Sequence, residues 1–161
     1  MSIQVLYERA RLCHAREIHA VVRVSAEAGQ MLPRALSELY ESVRDFVVAL
    51  DPDTRQVIGC CALHVIWEDL GEVRSLAVAH AWRGHGIGRH LVELCLADAR
   101  DLCLPRVFAL TYVPDFFKKL GFEDISKDQL PHKVWSDCIR CHKFPDCDEQ
   151  AVARSIAGPA A

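Results

Sequence analysis

Residues 72–88 constrain this chain most. A β-rich run, Glu72-Val73-Arg74-Ser75-Leu76-Ala77-Val78, leads into the turn Arg83-Gly84-His85-Gly86-Ile87-Gly88. Past Gly88, the apolar residues Leu91, Val92, Leu94, Cys95, Leu96 and Leu102 recur at helical spacing, so the glycines sit where a helix begins. The first amides of a helix lack intrahelical partners and the dipole is positive there, which makes the turn a cradle for a pyrophosphate. A dinucleotide fingerprint counted from Gly84 and Gly86 needs a third glycine at position 89, which is Arg89. No Gly-Lys-Ser/Thr triplet follows, as a nucleotide triphosphate loop requires. The pattern left is Arg-x-x-Gly-x-Gly after a strand. A blander role for the glycines is to cap the helix and let it pack closely on a sheet.

The chain has 161 residues, enough for one domain over 1–161, and its 51% hydrophobic and 25% charged content is that of an ordinary globule. A net charge of −3 with no Lys/Arg run argues against a nucleic-acid partner. The N-terminus lacks a basic segment followed by an apolar core. The longest apolar stretch, residues 57–66, is interrupted by Gly59 and His64 and is too short to span a bilayer. No membrane partner and a cytoplasmic location are therefore expected.

Eight cysteines then read as free thiols in a reducing compartment, with a metal site as the alternative use. Cys13, Cys60, Cys61, Cys95 and Cys103 fall in apolar patterns and are expected in the core. Cys138, Cys141 and Cys147 lie instead in a polar C-terminal segment at about 132–150, with His132 and His142 nearby. Three thiolates and an imidazole would complete a structural zinc site, although the fourth ligand is not obvious. The competing reading is three uncoordinated thiols.

Along the chain, residues 5–9 read as a strand and 15–26 as a helix with Ile18, Val21, Val22 and Val24 in its apolar stripe. Gly29 ends that helix, and Pro33 opens a second over 33–43 with Leu36, Leu39 and Tyr40 on one face. Residues 46–50 and 57–67 form a hairpin around the turn cluster Asp51-Pro52-Asp53-Thr54. Asp69-Leu70-Gly71 supplies a turn before the Glu72 strand. Pro105 introduces a strand over 106–111, and Pro114 opens a short helix ending at Gly121. A last strand is expected at 133–135 and a frayed terminus from Ala157.

The Arg83 to Gly88 pattern closely resembles the acetyl-CoA signature of the GNAT superfamily of N-acetyltransferases. Phe116-Phe117-Lys118-Lys119-Leu120-Gly121-Phe122 is similar to the superfamily's Phe-Tyr-x-x-x-Gly-Phe element. The resemblance implies an α+β fold, an α/β/α sandwich around a mixed, mostly antiparallel sheet. It also implies acetyl-CoA as cosubstrate. Leu76, Ala77 and Val78 would hold it together with Arg83, Gly84, His85, Gly86, Ile87, Gly88 and Arg89, and Phe116 and Phe117 would flank its pantetheine arm.

Acetyl transfer to an amine needs a base, because an ammonium group is mostly protonated near neutral pH. Glu72 is the candidate base, from its place at the start of the strand before the loop; its competing role is a surface carboxylate. The amide of Val78 would stabilise the oxyanion if the family geometry holds. Phe117 stands where many family members carry an acidic tyrosine, so Tyr112 is the nearest phenol for protonating the thiolate, or else an aromatic packed beside the cofactor.

For the acceptor, Arg34, Arg74 and Arg140 are the candidates to hold substrate. Met31-Leu32-Pro33-Arg34, the Glu72 strand and Leu130-Pro131 together resemble the acetyltransferase domain of bacterial N-acetylglutamate synthases. In that family arginines at the position of Arg34 and after Leu-Pro hold the carboxylates of glutamate. The resemblance implies transfer of acetyl to the α-amino group of L-glutamate, the first step of arginine biosynthesis, by a short form lacking the amino-acid-kinase domain. The alternatives are a GNAT enzyme acting on another small amine or a protein amine, and a non-catalytic acyl-CoA-binding or metal-responsive module. Homodimerisation stays open.

Overall fold

The computed structural model describes residues 3–131 and 149–156. A seven-stranded sheet runs β1 (Leu6–Arg9), β2 (Phe46–Leu50), β3 (Val57–Trp67), β4 (Leu70–Val78), β5 (Arg106–Thr111), then β7 (Gln150–Ser155) and β6 (Glu123–Ile125) at the edge. Every neighbouring pair is antiparallel except β4 and β5. Helices α1 (Ala15–Glu27) and α2 (Leu36–Glu41) accompany one face, and α3 (Ile87–Asp101) and α4 (Pro114–Lys118) the other. The α/β/α layering and mixed sheet are those expected from the sequence.

Of the three buried clusters among the described residues, two pack the long helices onto the sheet. Ile18 and Val22 of α1 and Leu39 of α2 pack on Phe46, Val48, Cys60, Ala62 and Ala77. Leu91, Val92, Cys95, Leu96 and Ala99 of α3 pack on Val47, Leu63, Val73, Val107 and Ala109. Successive strand residues point to opposite faces, so Cys60 and Cys61 serve different cores.

Several local expectations shift. Leu70 and Gly71 belong to β4 rather than to a turn, because they pair with Trp67 and Val65 across the hairpin. The second helix covers only 36–41, and Tyr40 is exposed. Val24 is also exposed, since the buried positions of α1 are Ala15, Ile18, Val22 and Ser25.

Cys13 and Cys103 are exposed rather than core. Cys103 follows the last turn of α3 with φ 60°, where its amide bonds Arg100 O and the Leu104 amide bonds Ala99 O. This Schellman closure turns Leu104 into the core and leaves Leu102 and Cys103 outside.

The expected strand at 133–135 lies outside the described residues. The strand β7 was not anticipated, because Gln-Ala-Val-Ala-Arg-Ser is poor in β-formers. It is extended because it sits between β5 and β6.

Candidate active site

The glycine turn meets α3 as its spacing predicts. Gly84 and Gly86 have φ of 83° and 76°, a region open to glycine at little steric penalty. Gly86 is the N-cap of α3, and no side chain caps the helix there. The first-turn amides therefore face the turn, and the first turn carries no acidic residue. A Cβ on Gly84 or Gly86 would meet nothing within 4 Å, so the loop surface is open to a ligand.

Gly86→Ala tests this loop with no steric clash involved. The left-handed backbone costs a Cβ-bearing residue about 1–2 kcal/mol, so the KM for acetyl-CoA should rise roughly 5- to 30-fold. Initial-rate measurements should show the acceptor's KM unchanged.

β4 supplies the rest of the site. Gly71 pairs with Val107 and Glu72 with Phe108, and no later residue of β4 pairs with β5 among the described residues. The two parallel strands thus part in a wedge beside residues 73–78. Ser75 has φ 57°, and the register with β3 shifts between Cys60 and Ala62, which marks a β-bulge. The bulge inverts the alternation of faces. Val73 packs on the α3 side before it, whereas Ala77 packs with α1 after it and Leu76 and Val78 join the α3 side. The Ala79 amide bonds Ile58 O on β3, so the Val78 amide, by alternation along the strand, faces the wedge.

β4, α3 and α4 converge at Gly88. The nearest carbons of Phe116 and Val78 stand 3.6 and 3.8 Å from where a Cβ on Gly88 would project. Arg83 braces this end through Nε to Val78 O at 3.1 Å and Nη2 to Gln30 Oε1 at 2.8 Å. It thereby ties the loop to the segment after α1. Arg89 pairs along its helix with Glu93 at 3.0 Å, and His85 is exposed at the loop tip.

Glu72 and Arg74 lie side by side on the α1/α2 side of β4, Glu72 Oε2 3.7 Å from Arg74 Nη1, with side chains only 11% and 15% exposed. Arg34 forms a 3.9 Å pair with Glu38, one turn along. Tyr112 is half-buried directly after β5. Phe117 is 4% exposed and belongs to the core, stacked edge-on to Phe116 and Phe122. Phe116 is the aromatic of this pair that reaches the loop. Arg140 and the candidate zinc ligands Cys138, Cys141 and Cys147 lie outside the described residues. Among the described residues no cluster suits a metal ion, and no helix is long and apolar enough to cross a membrane.

Sequence reasoning missed three features of the site. They are the Ser75 bulge, the Gln30 brace, and a 2.8 Å contact between His64 Nδ1 and Asp45 Oδ2. The signal for the last was present in the pattern: His64 interrupts an apolar strand two residues after Ala62, on the same face.

Buried thiols on β3 satisfy the bulge. The Cys60 thiol donates to Ser75 O at 3.4 Å and that of Cys61 to Arg74 O at 3.8 Å. Burial pushes the Cys60 thiol from 9.0 up to about 12. Above pH 9.0 the unfolded chain loses a proton that the folded chain keeps, so stability falls as pH rises through that window. The expected slope from this thiol is about 1.4 kcal/mol per pH unit, read by urea unfolding. Alkylation of the native protein should mark Cys13 and Cys103 and spare Cys60, Cys61 and Cys95 until the chain unfolds, as mass spectrometry would show.

A helix start with open amides, a wedge between parallel strands and a carboxylate beside it fit an acyl-CoA-dependent transferase. The chain belongs to the Acetyltransferase (GNAT) family, which it matches over residues 6–122. It is an acetyl-CoA-dependent N-acetyltransferase.

An amino-acid acetyltransferase of Mycobacterium tuberculosis is 45% identical over 121 residues, covering 74% of this chain and 70% of the relative. A solved M. tuberculosis protein, Rv2747, in complex with CoA and NLQ, superposes with a TM-score of 0.80 at 36% identity, covering 94% of this chain and 99% of that one. N-acetylglutamate synthase from Neisseria gonorrhoeae, complexed with coenzyme A and N-acetyl-glutamate, gives a TM-score of 0.85 at 25% identity. That match covers 96% of this chain and 35% of the synthase.

Proposed function

We propose that the acceptor is the α-amino group of an amino acid, L-glutamate, and that the product N-acetylglutamate enters arginine biosynthesis. The observation that carries this reading is the Glu72–Arg74 pair. A zwitterionic amino acid presents an ammonium and a carboxylate a few ångströms apart, and this face of β4 presents the complementary carboxylate and guanidinium. Kinship with an amino-acid acetyltransferase and with an N-acetylglutamate synthase supports the choice of glutamate.

In this reading the α3 amides and the open glycine turn hold the pyrophosphate of acetyl-CoA, and the wedge receives its acyl end. Glu72 takes the ammonium proton, the freed amine attacks the thioester, and the Val78 amide donates to the developing oxyanion. Tyr112 is the nearest phenol for the departing thiolate, because Phe117 has no proton to give. Arg34 holds the side-chain carboxylate. Its pair with Glu38 is a long i,i+4 contact at the surface, weak enough to be exchanged for a substrate carboxylate. Arg140 is a further carboxylate ligand in this proposal, and Cys138, Cys141 and Cys147 a zinc site.

The test is release of CoA thiol from acetyl-CoA with glutamate, aspartate, glutamine and lysine. Dominant turnover with glutamate is expected, and equal rates across the panel would overturn the assignment. Arg34→Ala should raise the KM for glutamate roughly 10- to 100-fold, the loss of one charge-assisted hydrogen bond, and leave that for acetyl-CoA within about threefold.

A further inference from the structure

Glu72 is nearly buried, so a proton taken from the acceptor must still reach water. We propose that His64, held by Asp45, relays that proton from Glu72 to solvent. Asp45 closes the 3-10 turn before β2, and its Oδ2 lies 2.8 Å from His64 Nδ1. An ionised carboxylate only accepts hydrogen bonds, so in the neutral imidazole Nδ1 carries the proton and Nε2 presents its lone pair. Nε2 has no hydrogen bond among the described residues.

His64 is the cross-strand partner of Glu72 in the β3–β4 register. Directly opposed residues share a face with Cβ atoms about 4.5–5.5 Å apart. Exposure rises along the row, from 11% for the Glu72 side chain to 35% for His64. Among the described residues the charged side chain in contact with this imidazole is Asp45, while Glu72, which pairs with Arg74, is its neighbour by register and not by direct contact. α1 and α2 bring the apolar Ile18, Val22 and Leu39 to the same side of the sheet.

The steps balance. An N–H bond of the acceptor ammonium breaks as an O–H bond forms on Glu72. That proton passes through a bridging water to Nε2, giving an imidazolium paired with Asp45, and leaves to solvent. The amine lone pair forms the C–N bond, the C–S bond breaks, and the thiolate takes up the nitrogen's second proton. The net result is one proton released per acetyl transferred. His64 acts through Glu72 and is a positioning residue in this scheme, which rests on Glu72 as the base but not on the identity of the amine.

Two experiments decide it. In the first, nitrogen NMR of the His64 ring, with no substrate present, reads which nitrogen carries the proton in the neutral imidazole. A proton on Nδ1 and a bare Nε2 are expected. A proton resting on Nε2 overturns the relay whether or not glutamate is the acceptor.

The second compares His64→Gln with wild type on whichever amine turns over. The expected loss is about 10- to 100-fold in kcat, with both KM values within about threefold, the acidic limb of the pH profile altered, and partial rescue of His64→Ala by imidazole. Wild-type kcat and pH profile in His64→Gln overturn the relay. A panel in which glutamate fails but another amine turns over overturns only the acceptor assignment.

Discussion

Glu72→Gln should lower kcat by about 10²- to 10⁴-fold while acetyl-CoA binds as in wild type. Glutamine keeps the shape and the hydrogen-bonding capacity of the side chain but cannot take a proton from an ammonium. The fold should tolerate it, because the neighbouring guanidinium 3.7 Å away still finds an amide oxygen. Binding should persist because the proposed pyrophosphate cradle is backbone at Gly84 to Gly88, which makes no contact that depends on Glu72 among the described residues. Direct titration of acetyl-CoA by calorimetry separates this from a loss of cofactor. The kinetic signature is a fall in kcat and kcat/KM together, largest near neutral pH and shrinking at alkaline pH, where the amine needs no base. A variant with full turnover would remove Glu72 from the mechanism and move the base elsewhere on the β4 face.

The second large effect concerns stability. Phe117→Ala should cost about 3–5 kcal/mol, since it empties a site 4% exposed and removes two edge-on ring contacts at 5.2 Å. Thermal and urea unfolding would report it, with Tm falling by roughly 6–20 °C for a chain of this size. Phe117→Tyr is the more informative companion. If the ring faces the core as described, the added hydroxyl is stranded among Phe116, Phe122 and apolar neighbours, and stability drops by about 1–3 kcal/mol with no gain in rate. A rise in kcat would mean that the hydroxyl reaches the thiolate. The backbone here is equally fixed: Phe117 O accepts from the amides of Leu120 and Phe122, which closes α4 over Gly121 at φ 87°.

Much of this was legible before folding. The helix after Gly88, the hairpin of residues 46–67 and the turn at Gly121 follow from contacts a few residues apart. The Asx turn, in which the Asp53 amide bonds Asp51 Oδ1 at 2.8 Å, is likewise local. The role of Phe117 was not legible. A Phe-Phe pair in a short helix offers two rings to one core, and only neighbours far along the chain decide which ring turns inward. Cys13 and Cys103 were misread for a similar reason, since an apolar pattern continues through a helix end that a left-handed residue bends outward.

The sequence alone determined the glycine turn and the open helix start, because glycine conformational freedom and unpaired helix amides are properties of a local stretch. The tertiary structure decided everything that depends on register. The bulge at Ser75 exists only against β3, the wedge only because β5 leaves β4 after Glu72, and β7 only because two strands flank it. Asp45 and His64 lie 19 residues apart and meet across the edge of a hairpin. Such contacts arise from the closing of strands on one another, and no propensity or spacing within either segment encodes them.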